Sequence, residues 1–172
     1  MSRQIERFSR KEKGFTLVEL LIVVIVLAVL AGIVIPQFSS STDDAKLGVL
    51  RSDLAAMRKA VELYYHQHNS VYPGGVTSNY AGHSKEDEWF VDQLTLYTNV
   101  GGEAVAVKDA THRYGPYLKK EIPINPFNDK NTVKINKSEK NLVDAIADTS
   151  SGWKFFTLTG QFFANDGAHG GY

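Results

Sequence analysis

Cysteine is absent from the 172 residues, so no disulfide staples this chain and no thiolate metal site can form; the compartment stays open. Net charge is absent too: 19 basic residues meet 19 acidic ones, and nothing in this balance suggests a nucleic-acid surface. Catalytic signatures are missing, with no His-Glu-x-x-His, no glycine-rich phosphate loop and no cysteine nucleophile. The histidines (His66, His68, His83, His112, His169) are scattered, and His66 and His68, two apart on a helix, do not share a face. Asp87 and Glu88 beside Trp89 read as helix-start acids rather than a catalytic pair. Asn125, Asn128 and Asp129 read as a polar turn rather than an ion site. No enzyme emerges from these residues.

Charge is scarcest between Phe15 and Ile35, where an apolar run carries one acid, Glu19. As a helix that run spans roughly 31 Å, close to the hydrocarbon thickness of a bilayer. Its β-branched stretches would suit a buried strand, but its length argues for a helix. Five basic residues (Arg3, Arg7, Arg10, Lys11, Lys13) and two acids (Glu6, Glu12) precede it, so the head of the chain is positive. A basic head before an apolar run reads as membrane targeting with the basic end kept in the cytoplasm. No Ala-x-Ala follows the run, so an ordinary secretory signal fits poorly. Pro36 removes one helical hydrogen bond and crowds the preceding turn, so a kink or loosened joint is expected at Gly32 and Pro36.

Beyond Ser39 the pattern becomes one-sided. Leu47, Leu50, Leu54, Met57, Val61, Tyr64 and His68 recur at steps of three and four, while Lys46, Arg51, Asp53, Arg58, Lys59 and Glu62 lie off that stripe. Phe15 to His68 is thus expected as one helix, its second half packing on the chain's own head. Turn residues from Asn69 to Tyr80 end it. Ser84 is expected to cap a short helix over Glu86–Tyr97, with Trp89, Phe90, Leu94 and Tyr97 on one face. Gly115 to Phe127, with three prolines, reads as an extended connector, and Thr132 to Ile135 as a short strand. Trp153–Leu158 and Gln161–Ala164, parted by Thr159-Gly160, predict a hairpin. The head aromatics (Tyr97, Tyr114, Tyr117, Phe127, Trp153, Phe155, Phe156, Phe162, Phe163) read as core and cross-strand pairs.

Lys13-Gly14-Phe15-Thr16-Leu17-Val18-Glu19 and the apolar run after it resemble the type IV prepilin signature, shared by type IV pilins and the pseudopilins of type II secretion. The resemblance implies cleavage by a membrane prepilin peptidase between Gly14 and Phe15, N-methylation of Phe15, and pairing of Glu19 with a neighbouring subunit's N-terminal amine during assembly. That pairing is physically sensible, since a lone carboxylate in hydrocarbon costs about 2.5–3.5 kcal/mol. A looser likeness to the major pseudopilin runs through Leu63-Tyr64-Tyr65, Tyr72-Pro73-Gly74, Gly115-Pro116-Tyr117-Leu118-Lys119-Lys120, Asn125-Pro126-Phe127 and Gly152-Trp153. That family's C-terminal loop carries clustered acids and binds calcium. Here only Asp148 and Asp166 offer acids near the hairpin, whereas a hard cation takes about six to eight oxygens. No metal or other cofactor is therefore expected.

The expected fold is α+β, a long helical spine (transmembrane first half, amphipathic second half) bearing a small antiparallel sheet. Four segments are expected: a cleaved leader (1–14), a transmembrane and filament-core helix (15–36), the amphipathic half of the spine (37–69) and a globular head (70–172). The expected role is a structural subunit of a pseudopilus in protein export, held in the inner membrane with a periplasmic head until it enters the filament. The partners implied are copies of itself, prepilin peptidase, an inner-membrane platform and ATPase, minor pseudopilins and lipid, with no nucleic acid. A surface type IV pilin for adhesion, motility or DNA uptake is the first alternative, and a signal-anchored periplasmic binding protein the second.

Overall fold

In the computed structural model the described residues are 14–137 and 148–172, and of α1 the side chains of residues 34–41 lie outside the description. The leader before Gly14 lies outside it as well. The chain divides into two compact units, Met1–Asp43 and Asp44–Tyr172. Helix α1 runs Leu17–Gln67, within two residues of the expected start. It is helical through Gly32 and Pro36. Among the described residues, no helix is long and apolar enough to cross a membrane. The apolar stretch of α1 with described side chains, residues 17–33, is shorter than the roughly 20 apolar residues a bilayer asks for.

In the second unit the one-sided stripe of α1 does what its period demands. Leu50, Leu54, Met57, Val61, Tyr64 and His68 are all buried, and Leu47 packs at the margin of the core. Their spacing places them on one face, so a single layer laid on that face covers all of them. The cover comes from Phe90 and Leu94 of α2 (Glu86–Thr95), Ile122, Val133, and Trp153, Phe155, Phe162 and Ala164 of the sheet. The Tyr64 hydroxyl is the one buried side-chain polar atom without a partner among the described residues.

Helix α2 starts at Glu86 as expected, but its cap differs. Lys85, not Ser84, is the N-cap, and the carboxylate of Glu88 accepts the backbone N–H groups of Ser84 (2.9 Å) and Lys85 (3.1 Å). Glu88 is thus a helix-start acid, as read from its position. The helix also stops short of Tyr97. Leu96 turns extended and its N–H closes on the Asp92 carbonyl, and Tyr97 begins a strand. The buried face holds Phe90 and Leu94 as expected but also Asp92 and Gln93, while Trp89 is only half-buried.

Two small sheets follow. Strands β1 (Tyr97–Thr98) and β2 (Ala104–Val105) pair antiparallel, and Thr98 bridges to Tyr114. Strands β3 (Val133–Asn136), β4 (Trp153–Phe156) and β5 (Gln161–Ala164) form the second, in that spatial order. The hairpin β4–β5 is antiparallel and sets Phe155 opposite Phe162. The expectation of an antiparallel sheet fails at β3, which pairs parallel with β4, Val133 opposite Trp153 and Asn136 opposite Phe156. A parallel pair needs a long crossover, and the connection from Asn136 to Trp153 is long enough to supply one. Central β4 is buried at every position, as a strand flanked on both edges should be.

At Gly160 the hairpin turn packs against the spine's exit loop. Its φ is +71°, and a Cβ there would lie 2.2 Å from the Tyr72 ring, so only glycine fits.

Candidate processing and assembly site

The site predicted from sequence is the start of α1, where the structure joins Thr16 and Glu19. Thr16 is the residue before the first helical position, and Glu19 lies three further on. The Glu19 carboxylate accepts the Thr16 backbone N–H at 2.9 Å and its hydroxyl at 2.8 Å, while the Thr16 hydroxyl accepts the Glu19 N–H at 3.2 Å. This is a reciprocal capping box, two orphan donors of the first turn satisfied by two side chains. Its signature, Thr-x-x-Glu ahead of an apolar run, is legible in the sequence, and reading Glu19 only as a charge for a neighbour passes over it. Glu19 therefore has a place within a single chain as well.

Around that box the helix is bare. Phe15 is 78% exposed and Leu17 89%, and each large apolar side chain from Val18 to Ile33 keeps half or more of its surface. A helix apolar on all sides is stable only when lipid or other helices cover it. The glycines here answer no need within this chain: a Cβ at Gly14 or Gly32 would meet no atom within 4 Å. Inside a helix Gly32 costs about 1 kcal/mol relative to alanine. Gly32 and Pro36 are one turn apart, so Pro36 lacks the N–H that would bond the Gly32 carbonyl.

In the head, the remaining candidates fall into structural roles. The Asn125 amide donates to the Gly152 carbonyl (2.9 Å) and to Asp166 (3.1 Å), and the Asn128 amide to the carbonyls of Ser151 (3.0 Å) and Asn165 (3.3 Å). These are donors tying loops together, as a polar turn does. Asp109 caps its own turn, accepting the N–H groups of Thr111 and His112 and the ring of His112. Asp92 is a pairing that sequence reasoning missed. Buried on α2, its carboxylate receives the Ser78 hydroxyl (2.7 Å) and His83 Nδ1 (2.8 Å), and this hydrogen bond raises the His83 pKa.

Calcium, implied by the resemblance for the C-terminal loop, meets oxygens that are already taken. Asp148 is held by the Lys134 ammonium on one oxygen and by Ser150 and the Asn165 amide (2.8 Å) on the other. Asp166 Oδ1 accepts the N–H groups of Ala168 and His169 (both 2.9 Å) and the His169 ring (3.1 Å). Burial pushes the Asp166 pKa up, but these bonds and that from Asn125 outweigh it and hold the group below the usual carboxylate range. Lys134 above all, then Ser150 and Asn165, hold Asp148 well below that range. Among the described residues no group of three or more histidines, cysteines or acids is placed to hold a metal ion. Among the described residues, the carboxylates of Asp148 and Asp166 are thus already engaged within the chain.

Comparison with known proteins adds the following. Residues 9–35 match the family described as the prokaryotic N-terminal methylation motif. The chain is 41% identical over 64 residues to a type II secretion system core protein G of Pseudomonas aeruginosa, covering 37% of this chain and 44% of that one. The chain thus spans less than half the length of that relative. A core protein G of Aeromonas hydrophila is 33% identical over 118 residues, 69% of each chain. The type IV major fimbrial protein FimA of Dichelobacter nodosus is 32% identical over 107 residues, 59% of this chain and 67% of that one. No solved structure matches the chain.

Proposed function

The chain belongs to the type IV pilin-like family, with core protein G among its relatives, and on that premise we propose that it is a major-type pseudopilin, a structural subunit rather than an enzyme. The observation that carries this reading is the bare apolar helix opening on Gly14-Phe15 with Glu19 in its first turn. In this reading prepilin peptidase cuts between Gly14 and Phe15 and the new Phe15 amine is methylated. The apolar half of α1 waits in the inner membrane with the head in the periplasm. It then packs against copies of itself in a short filament that drives protein export, with the platform protein, ATPase and minor pseudopilins supplied by the secretion machinery. Glu19, held by Thr16 in the single chain, exchanges that partner for the methylated amine of a neighbour. The joint at Gly32 and Pro36 lets the helix yield during packing.

Mass spectrometry of the protein from its native host tests the first step. A chain starting at N-methylated Phe15 is expected, and an intact Met1 would overturn the reading. A surface type IV pilin is the second reading, favoured by the likeness to the fimbrial protein of D. nodosus. A deletion strain separates them: lost secretion with normal motility supports the pseudopilin, and the reverse supports the pilin.

A further inference from the structure

In the loops around the end of the head, side-chain nitrogens of Lys134, Asn125, Asn128 and Asn165 donate to oxygens. Beyond the contacts of Asp148 and Asp166, the Lys130 ammonium donates to the Thr149 carbonyl at 2.7 Å, and the Asn165 amide donates to the Ser151 hydroxyl at 2.9 Å. Asn165 and Asn125 are both fully buried. Asn165 also returns a bond, accepting the Asp148 backbone N–H at 3.0 Å. The result is a closed set that joins residues 125–130, 148–152 and 165–169 with Lys134 of β3. Carboxylates and carbonyls that converge from three loops are the oxygen-rich arrangement a hard cation takes. Here a protein N–H or ammonium already meets each oxygen named, and the charge of Asp148 is matched within the chain.

We propose that nitrogen donors of the chain itself close the C-terminal loop in place of a divalent cation, with the Lys134 ammonium as the tethered positive charge on Asp148. The head then keeps its fold whatever the calcium level of its compartment. Asn165 and Asn125 supply the directional bonds that fix the loop, and Lys134 supplies the charge. These contacts all lie within the head, so the loop closes in the same way in a pseudopilin and in a pilin.

The test uses the full-length chain in detergent micelles, with thermal unfolding followed by tryptophan fluorescence and limited trypsin digestion as a second readout. Calcium chloride is added at about 1 mM, within the affinity range of extracellular calcium modules, and compared with excess EGTA. The midpoint and the digestion pattern are expected to be the same in both. Lys134→Met is expected to lower the midpoint and expose the segment after Asp148 to trypsin in either condition, while Lys134→Arg stays close to wild type. A wild-type midpoint that rises with calcium overturns the proposal, as does a Lys134→Met protein indistinguishable from wild type. Should that variant fail to fold, the wild-type titration decides alone.

Discussion

His68 closes the last turn of α1 with its ring. Nδ1 lies 2.8 Å from the Tyr64 carbonyl, one of the helix's orphan acceptors, and Nε2 lies 2.8 Å from the Thr98 hydroxyl. A neutral ring satisfies both, donating at Nδ1 and accepting at Nε2. The ring stacks on Tyr64 at 3.7 Å and meets Tyr114 and Tyr117 edge-on, and burial pushes the Tyr64 and Tyr117 phenols up, away from neutral pH. Burial disfavours the imidazolium and pushes the pKa down, against smaller opposing effects of the backbone at Tyr64 and Asn99. As pH falls through about 6.5, the ordinary value, the unfolded chain binds a proton that the folded chain refuses, so stability drops until pH passes the lowered value. His83 works the other way: its raised pKa adds stability that is present below about 6.5 and lost as pH rises through the raised value. A His68→Gln variant keeps His83, so comparing it with wild type isolates His68. The variant is expected to be less stable at neutral pH, and its melting deficit to shrink as pH is lowered to about 5.5. A deficit constant with pH would show that His68 does not titrate differently on folding.

The elements divide by how local their cause is. Gln93 shows the non-local kind: fully buried on α2, it accepts the Gly74 N–H at 2.8 Å and donates to the carbonyls of Val76 (3.0 Å) and Gly102 (2.9 Å). Gln93→Leu keeps most of the volume but strands three backbone groups, at a cost on the order of 2–5 kcal/mol. Urea unfolding of the full chain in detergent measures this, and a loss under about 1 kcal/mol would mean that water reaches those groups. Nothing in the periodicity of α2 marks Gln93 or Asp92 as buried, because their partners (Gly74, Val76, Ser78, His83, Gly102) lie in loops that only the fold brings near. The α1 stripe from Leu47 to His68 was legible because a single period repeats through six turns. The β4–β5 hairpin was legible because its turn and both flanks are contiguous in sequence. The strand at β3 was legible too, but its direction was not, since parallel pairing with β4 depends on the route between them. At the candidate site the motif from Gly14 to Glu19 was plain in the sequence, whereas the capping role of Glu19 needed Thr16 to be seen beside it.

At the scale of the whole molecule the two units differ in what satisfies them. The second unit has its own core, with Trp153, Tyr64, Phe90, Phe155 and Phe162 fully buried. In the first, each large apolar side chain of α1 through Ile33 keeps about half its surface or more, leaving on the order of 1 kcal/mol of burial unrealised per residue. Lipid or neighbouring helices can supply it. The capping box complicates any test of the Glu19 charge, because removing Glu19 outright also removes the cap on the helix. Glu19→Gln separates the two roles: the amide keeps an oxygen for the Thr16 N–H and hydroxyl but carries no charge. Insertion is expected to be unimpaired, since an amide in hydrocarbon costs less than the about 2.5–3.5 kcal/mol of a carboxylate. Processing at Gly14 should proceed as in wild type. Incorporation into filaments, read from sheared fractions and cross-linked ladders of the native host, is expected to fall at least tenfold, because an amide does not offset a neighbouring ammonium. Normal filaments from Glu19→Gln would mean that Glu19 serves only to cap its own helix and that assembly register is set by other contacts.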